Sequence, residues 1–160
     1  MDVDELLEAL LRRGATLATA ESLTGGRLAA RVTGVAGASR VYLGGVVAYA
    51  TEAKQQLLGV PADLVARHGV VSAECAGAMA EGARTALGAT YALSTTGVAG
   101  PEEQEDKPVG TVFVGVAGPD GTTVTALQLV GDRSSVQDRT CREALSALAA
   151  RLPGEEPDLG

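Results

Sequence analysis

The sequence predicts an α/β protein, a three-layer α/β/α domain built on a mixed, mostly parallel sheet that contains one antiparallel hairpin strand. Helical patterns alternate with short strands that are apolar on both faces, which is typical of parallel sheets covered by helices. The turn Pro119-Asp120-Gly121 separates two strand-like segments and predicts a hairpin. A chain of 160 residues with 46% hydrophobic residues fits one domain, which we place at residues 1–152.

Each predicted element has its own signal in the sequence. Asp2 or Asp4 caps a first helix that Gly14 ends, and Ser72 caps a long Ala-rich helix that ends at Gly88. The predicted strands cover residues 16–20, 40–50, 91–96, 111–117 and 122–130, and further helices cover 24–32, 51–59, 61–68 and 132–152. Residues 97–108 form the longest segment without predicted structure, and residues 153–160 are predicted to be a disordered tail.

The composition excludes several classes of partner. A net charge of −7 lacks the positive field that non-specific nucleic-acid binding needs, and four aromatic side chains are too few for a platform that stacks bases. No segment resembles a secretory signal or has the apolar length of a membrane helix. Cys75 and Cys141 lie far apart without metal-ligand spacing, which favours reduced thiols. We therefore expect a cytoplasmic protein that binds neither nucleic acid nor membranes.

Three connections that follow predicted strands carry candidate chemistry, because reactive groups of layered α/β domains lie at the carboxyl ends of strands. They are residues 20–26 (AESLTGG), 49–54 (YATEAK) and 96–101 (TGVAGP). Ser22 in the first connection is either a helix cap or a nucleophile. Gly25 and Gly26 favour the second interpretation, since glycines let backbone N–H groups approach a ligand at a helix N-terminus.

A nucleophilic serine needs a base, and the sequence offers two candidates. His68 is the only histidine, and interaction with the C-terminus of a short helix is enough to explain it. Of 13 basic residues only Lys54 and Lys107 are lysines, and a buried lysine, unlike a buried arginine, can lose its proton. Lys54 follows a buried strand near Tyr49, so it is either a desolvated base or an ordinary solvated lysine.

No metal or cofactor is expected. One histidine and two scattered cysteines do not make a zinc site. The acidic residues between positions 102 and 106 are more simply explained as a solvated loop than as ligands of a hard cation. The sequence has no Walker A motif.

Five motifs occur in order along nearly the whole chain. They are AESLTGG at 20–26, Y-x-x-x-x-K at 49–54, TGVAGP at 96–101, KPVGTV at 107–112 and GDR at 131–133. Together they resemble the CinA C-terminal domain family, also called nicotinamide-nucleotide amidases. The chain departs from the family at Ala50-Thr51, where many members have Ser-Asn, and we expect Thr51 to keep the helix-capping role. Many relatives carry a further N-terminal domain, so the chain looks like the stand-alone form.

The resemblance implies the deamidation of nicotinamide mononucleotide to nicotinic acid mononucleotide and ammonia, in pyridine-nucleotide salvage. It implies no cofactor and no metal, and it suggests a homodimer. The catalytic residues that match the family are Ser22, Lys54 and Tyr49. Lys54 then takes the serine proton directly or through Tyr49. The resemblance also places Thr96 and Arg133 on the substrate side.

Backbone groups complete the predicted site. We expect N–H groups near Gly25-Gly26 or Thr96-Gly97 to hold the oxyanion, and those at the helix start to be candidates for the phosphate, with Arg139 and Lys107 behind them. The predicted substrate-binding residues are therefore Thr24, Gly25, Gly26, Thr96, Gly97 and Arg133. Two alternatives stay open: a regulatory domain that binds a nucleotide without hydrolysing it, and a Ser–Lys hydrolase of another small amide.

Overall fold

Five strands form one sheet with helices on both faces in the computed structural model, which describes residues 1–154. This architecture confirms the predicted α/β class. The strands are β1 (Leu17–Glu21), β2 (Tyr42–Val47), β3 (Tyr91–Gly97), β4 (Thr111–Gly118) and β5 (Gly121–Gln128), in the order β2-β1-β3-β4-β5. The helices are α1 (Val3–Arg12), α2 (Arg27–Thr33), α3 (Thr51–Leu58), α4 (Ala62–His68), α5 (Ala73–Leu87) and α6 (Arg133–Arg151). Residues 155–160 of the predicted tail lie outside the described residues.

The core consists of two apolar clusters, one on each face of the sheet. On one face, leucines and valines of α1, α2 and α6 pack against β3 and β4; examples are Leu10, Leu28, Leu93, Val114 and Leu148. On the other face α5 packs against alanines of β1 and β3, at Ala18, Ala20 and Ala92. A Cβ at Gly115 would lie 2.8 Å from the Ala76 carbonyl oxygen, so the glycine lets α5 approach the sheet closely.

The direction of the strands differs in one respect from the prediction. β2, β1 and β3 are parallel, and β4 is the single antiparallel strand that the hairpin required. However, β4 lies between β3 and β5 and pairs antiparallel with both of them. Two of the four pairings are therefore antiparallel, and "mostly parallel" was wrong for the pairings although four of the five strands share a direction.

The parallel strands bring three connections together. Glu21 at the end of β1 is in register with Val47 of β2 and with Thr95 of β3. The segments that follow these strands therefore leave the same edge of the sheet. This places Ser22, the β2–α3 connection and Thr96 beside one another, as the rule for the carboxyl ends of parallel strands predicts.

Several features near that edge differ from the predicted ones. α2 begins only at Arg27, because Gly25 (φ 54°) and Gly26 (φ 102°) adopt left-handed conformations that a helix cannot include. The N-cap of α3 is Ala50 rather than Thr51, and no side chain caps that helix. The loop over 97–108 is not structureless, since residues 104 and 107 pair across a tight turn. None of the described helices is long and apolar enough to cross a membrane.

Candidate active site

A cavity of about 460 Å³ opens at the edge of the sheet where the three connections meet. The side chains and backbone around it come from all three connections, from the α4–α5 connection and from the start of α6. The lining residues are Ser22, Leu23, Tyr49, Thr51, Lys54, Val70, Val71, Thr96, Gly97, Val98, Ala99, Gly100, Pro101, Glu102, Glu103, Gln104 and Arg133. A cavity of this volume is large enough to enclose a small organic molecule.

Ser22 and Lys54 are in direct contact in this cavity. The Nζ atom of Lys54 lies 2.9 Å from the Oγ atom of Ser22, within hydrogen-bond distance. Ser22 follows β1 immediately and is 9% exposed, and Lys54 belongs to the second turn of α3. Thirty-two residues separate the two in the chain, so their meeting depends on the parallel pairing of β1 with β2.

Lys54 is unusually placed for a lysine. Its side chain is 1% exposed, and its Nζ also donates to the carbonyl oxygens of Ala48 at 2.9 Å and Tyr49 at 3.1 Å. Burial lowers the pKa of Lys54, because an ammonium group loses its hydration; the Cys75 thiol and the Glu105 carboxylate act in the opposite direction. A lowered pKa increases the fraction of neutral amine at a given pH, and the neutral amine is the form that accepts a proton. The solvated-lysine interpretation of Lys54 is therefore wrong.

The backbone around Ser22 supplies a hydrogen-bond donor that the sequence motifs did not predict. The Ser22 N–H donates to the Thr95 carbonyl at 3.0 Å, which fixes the serine at the end of β1. The N–H of Leu23 has no acceptor within residues 1–154, and Leu23 lines the cavity. An N–H of the residue after a nucleophile is a common oxyanion donor in α/β hydrolases. The Leu23 N–H is thus a better candidate than those of Gly25 and Gly26.

Thr24, Gly25 and Gly26, which the sequence predicts to bind the substrate, do not line the cavity. Thr24 is completely buried, and its hydroxyl is bonded to Glu21 at 2.6 Å and to Thr95 at 2.8 Å. The carboxylate of Glu21 in turn accepts hydrogen bonds from the first free N–H groups of α2.

The start of α2 carries an anion of its own. Glu21 is 1% exposed and accepts hydrogen bonds from the N–H groups of Leu28 at 2.7 Å and Ala29 at 3.1 Å. These are donors that a bound phosphate would use at a helix N-terminus. A second anion at the same place would meet an occupied site and a negative charge. The two glycines therefore serve to turn the chain so that Glu21 caps α2.

Tyr49 and Arg133 form one side of the cavity mouth. Tyr49 is 62% exposed, and its hydroxyl accepts a hydrogen bond from the Arg133 guanidinium at 3.2 Å. Arg133 also donates to the carbonyl of Gly100. The Tyr49 hydroxyl has no hydrogen bond to Ser22 or Lys54 within the described residues, so the structure offers the proton a direct route from Ser22 to Lys54.

Thr96 and Gly97 line the cavity as predicted, but the hydroxyl of Thr96 is already engaged. It donates to the carbonyl of Val70 at 2.7 Å, and Thr96 is 1% exposed. Of the two predicted reserve cations, Lys107 donates to the carbonyl of Val71 and Arg139 to that of Val130. Neither of them lines the cavity, so Lys54 and Arg133 are the basic residues of the lining.

The other candidate groups lie away from the Ser–Lys pair. His68 is outside the cavity lining, and its Nδ1 is 3.6 Å from Glu74 near the start of α5. Cys75 and Cys141 are free and buried, and burial raises the pKa of the first thiol to about 11 and of the second to about 12. Over the range 1–154, no group of three or more histidine, cysteine or acidic side chains is arranged to hold a metal ion.

Comparison with known proteins agrees with the motifs. The family model described as the CinA C-terminal domain matches residues 3–152. The chain is 53% identical over 149 residues to a CinA-like protein of Frankia casuarinae and 50% identical over 153 residues to one of Citrifermentans bemidjiense. These matches cover 93% and 94% of this chain but 34% and 37% of the relatives, so the chain spans about a third of their length.

Solved structures give the same result for the fold. A CinA superfamily protein of Klebsiella pneumoniae superposes with a TM-score of 0.90 at 37% identity, covering 95% of this chain and 98% of that one. A CinA superfamily protein of Escherichia coli has a TM-score of 0.88 at 30% identity, with 92% and 89% covered. With a family model that spans nearly all described residues and relatives at these identities, the chain belongs to the CinA C-terminal domain family.

Proposed function

We propose that this chain is a Ser–Lys amidohydrolase that converts nicotinamide mononucleotide to nicotinic acid mononucleotide and ammonia. The observation that carries the proposal is the 2.9 Å contact between Ser22 Oγ and the buried Nζ of Lys54 inside the cavity. A serine hydroxyl is a weak nucleophile until a neighbouring base takes its proton. Lys54 has a lowered pKa and is in position to act as that base.

The reaction uses two steps on Ser22. Neutral Lys54 takes the proton of Ser22 while Oγ attacks the carboxamide carbon, and the N–H of Leu23 donates to the oxygen that becomes negative. The protonated Lys54 then returns its proton to the leaving nitrogen, and ammonia departs as an ester forms on Ser22. In the second step Lys54 takes a proton from water, and the hydroxide attacks the ester. The acid leaves and Ser22 recovers its proton from Lys54.

The charges around the cavity support a pyridinium nucleotide as the substrate. Glu102 and Glu103 line the cavity, and the N-substituted pyridine ring of the proposed substrate is positively charged. Arg133 is the cation of the lining that is not engaged with the nucleophile, so it is placed to orient an anionic or carbonyl group. The family resemblance supplies the identity of the nucleotide and its role in salvage in the cytoplasm. The homodimer stays a prediction.

A substrate panel tests the proposal. Ammonia release is measured with nicotinamide mononucleotide, nicotinamide riboside, free nicotinamide, glutamine and asparagine, each with the wild type and with Ser22→Ala. We expect release from the mononucleotide, far less from the other amides, and only a small residual rate with Ser22→Ala. Calorimetric binding of the mononucleotide without ammonia release would favour the regulatory alternative. A faster reaction with another amide would favour a different Ser–Lys hydrolase.

A further inference from the structure

The acidic loop beside the cavity makes a contact that its sequence does not predict. Residues 104–107, which we name the 104–107 turn, reverse the chain between paired Gln104 and Lys107. The two central residues, Glu105 (φ 52°) and Asp106 (φ 57°), are left-handed. Aspartate tolerates this conformation, but glutamate adopts it rarely, so Glu105 is the residue of the turn whose backbone a contact elsewhere would stabilise.

The contact is made by the two side chains of the turn that face the protein. The carboxylate of Glu105 accepts from the N–H of Val70 at 3.1 Å and from the N–H of Val71 at 2.7 Å. The ammonium group of Lys107 donates to the carbonyl of Val71. The turn is thereby bonded at three points to two successive residues of the α4–α5 connection, which lie about 35 positions earlier in the chain.

Gly69 leaves room for the same contact. Its φ is 76°, and a Cβ at this position would lie 1.8 Å from the Oε2 atom of Glu105. A side chain at position 69 would therefore occupy the place of the carboxylate. The glycine leaves room for Glu105 directly beside the N–H groups that it binds.

Both partners of this contact are walls of the candidate active site. Val70 and Val71 line the cavity on one side, and residues 102–104 line it next to the turn. The carbonyl of Val70 accepts the hydroxyl hydrogen bond of Thr96, which also lines the cavity. The distance between the two walls is thus fixed by the hydrogen bonds of Glu105 and Lys107.

We propose that Glu105 is a positioning residue that fastens the loop over residues 100–108 to Val70 and Val71 and so holds the substrate-binding walls of the cavity in place. The proposal rests on the proposed function for its kinetic consequences, but not for its structural ones. Glu105 does not touch the Ser–Lys pair, so we expect it to act on substrate binding more than on the chemical step.

The first test is the exchange of backbone amides in the free protein. Hydrogen exchange at Val70 and Val71 is compared in the wild type, Glu105→Ala and Asp106→Asn. The control removes a charge from the adjacent position, and asparagine tolerates the left-handed backbone. In Glu105→Ala exchange at both amides should rise by roughly tenfold or more, because both N–H groups lose their carboxylate acceptor. Equal exchange in all three proteins overturns the proposal.

The second test separates a positioning role from a merely stabilising one. In Glu105→Ala the KM for nicotinamide mononucleotide should rise by roughly tenfold, which corresponds to about 1.4 kcal/mol, while kcat changes by less than about threefold. Glu105→Gln keeps one acceptor oxygen and should lie between the wild type and Glu105→Ala. Asp106→Asn should match the wild type. An unchanged KM in Glu105→Ala overturns the proposal.

A pH profile adds a readout that loss of stability alone would not move. The titratable groups that act on Lys54 are the Cys75 thiol of α5 and the Glu105 carboxylate, and the latter raises the pKa of Lys54. Glu105→Gln should therefore shift the acidic limb of kcat/KM to lower pH, and Asp106→Asn should leave it in place. If the wild type releases no ammonia from the mononucleotide, the proposed function fails alone, and the exchange at Val70 and Val71 still decides the role of Glu105.

Discussion

Two neighbouring strand–helix junctions of this protein each bury an ionisable side chain almost completely. The β1–α2 junction buries Glu21, and the β2–α3 junction buries Lys54; each is 1% exposed. The two carboxyl strand ends lie side by side in the sheet, and Ser22 stands between them. The two side chains are equally buried, but the groups that surround them differ.

Glu21 is surrounded by donors, whereas Lys54 faces a cavity. The Glu21 carboxylate accepts from the Thr24 hydroxyl and from the N–H groups of Leu28 and Ala29, which stabilise a negative charge at a helix start. Lys54 meets two carbonyl oxygens and the Oγ of Ser22, and burial lowers its pKa. Burial alone therefore does not identify a catalytic group. Lys54 differs from Glu21 in that it contacts a serine hydroxyl beside an open cavity.

The largest effect should come from removing the nucleophile. Ser22→Ala deletes one hydroxyl from a position fixed by the backbone, so the fold should be retained. The rate of ammonia release should fall by about 10⁴-fold or more, leaving only what positioning and the oxyanion donor supply. Steady-state kinetics with matched circular dichroism spectra measure both. A folded variant with near-normal kcat would remove Ser22 from the mechanism.

The next largest effect should come from Lys54→Arg, which distinguishes a catalytic base from a cation that only binds the substrate. Lys54→Arg keeps the positive charge but cannot lose its proton near neutrality, because the pKa of arginine is above about 12. It should be nearly as inactive as Lys54→Ala, with kcat lower by at least about 10³-fold. The wild-type rate should rise with pH through an ionisation below that of a free lysine, since the base must be neutral. If Lys54→Arg keeps kcat and only raises KM, Lys54 is a substrate-binding residue.

Stability measurements test the two buried charges against each other. Glu21→Gln leaves at least one N–H of α2 without an acceptor, so the free energy of unfolding should fall by about 2–3 kcal/mol. Lys54→Met removes a group whose charged form burial disfavours, so the free energy of unfolding should rise at pH 7. Chemical denaturation measures whether the free energy of unfolding falls in Glu21→Gln and rises in Lys54→Met. A loss of stability in Lys54→Met would mean that its hydrogen bonds outweigh its desolvation.

The gain in Lys54→Met should also depend on pH. Because the folded state lowers the pKa of Lys54, the unfolded chain binds more protons in the interval between the lowered pKa and about 10.4. Wild-type stability therefore rises with pH across that interval, and below it the penalty is fully present. The advantage of Lys54→Met should be largest at the acidic end and shrink as the pH approaches 10. A constant difference would contradict the lowered pKa.

Part of the fold and of the candidate site could be predicted from the sequence. The layers followed from the alternation of apolar strands and amphipathic helices, and Ser22 and Lys54 followed from their places after two strands together with the motifs. The position of β4 between β3 and β5 did not follow, because local patterns define strands but not their neighbours in the sheet. Glu21 was read only as part of the AESLTGG motif, although a carboxylate two residues before a turn with paired glycines can fold back onto the next helix.

Other features of the site could not be predicted from the sequence. The N–H of Leu23, which has no acceptor within residues 1–154, is a backbone group, and its availability depends on the turn rather than on the residue type. Glu105 belongs to a run of acidic residues whose composition predicts a solvated loop. Its partners, the N–H groups of Val70 and Val71, are distant in the chain. Thr51 was expected to cap α3, but the chain enters that helix one residue earlier, at Ala50.

The smallest effect should come from the tyrosine hydroxyl, and it tests whether the proton moves directly between the two junctions. Tyr49 Oη accepts from Arg133 at 3.2 Å at an exposed site, while Lys54 Nζ reaches Ser22 Oγ without an intermediary. Tyr49→Phe should therefore raise KM by about threefold through looser placement of Arg133, because an exposed hydrogen bond contributes about 0.5–1 kcal/mol.

The kcat of Tyr49→Phe and the acidic limb of its pH profile should stay those of the wild type. Tyr49→Ala is the matched comparison, since it also removes the ring that lines the cavity, and it should raise KM further. A relay through the tyrosine would give a different pattern. Tyr49→Phe would then lose kcat by about the 10²-fold or more that a proton-transfer group contributes, and Lys54 would need the phenol to reach Ser22.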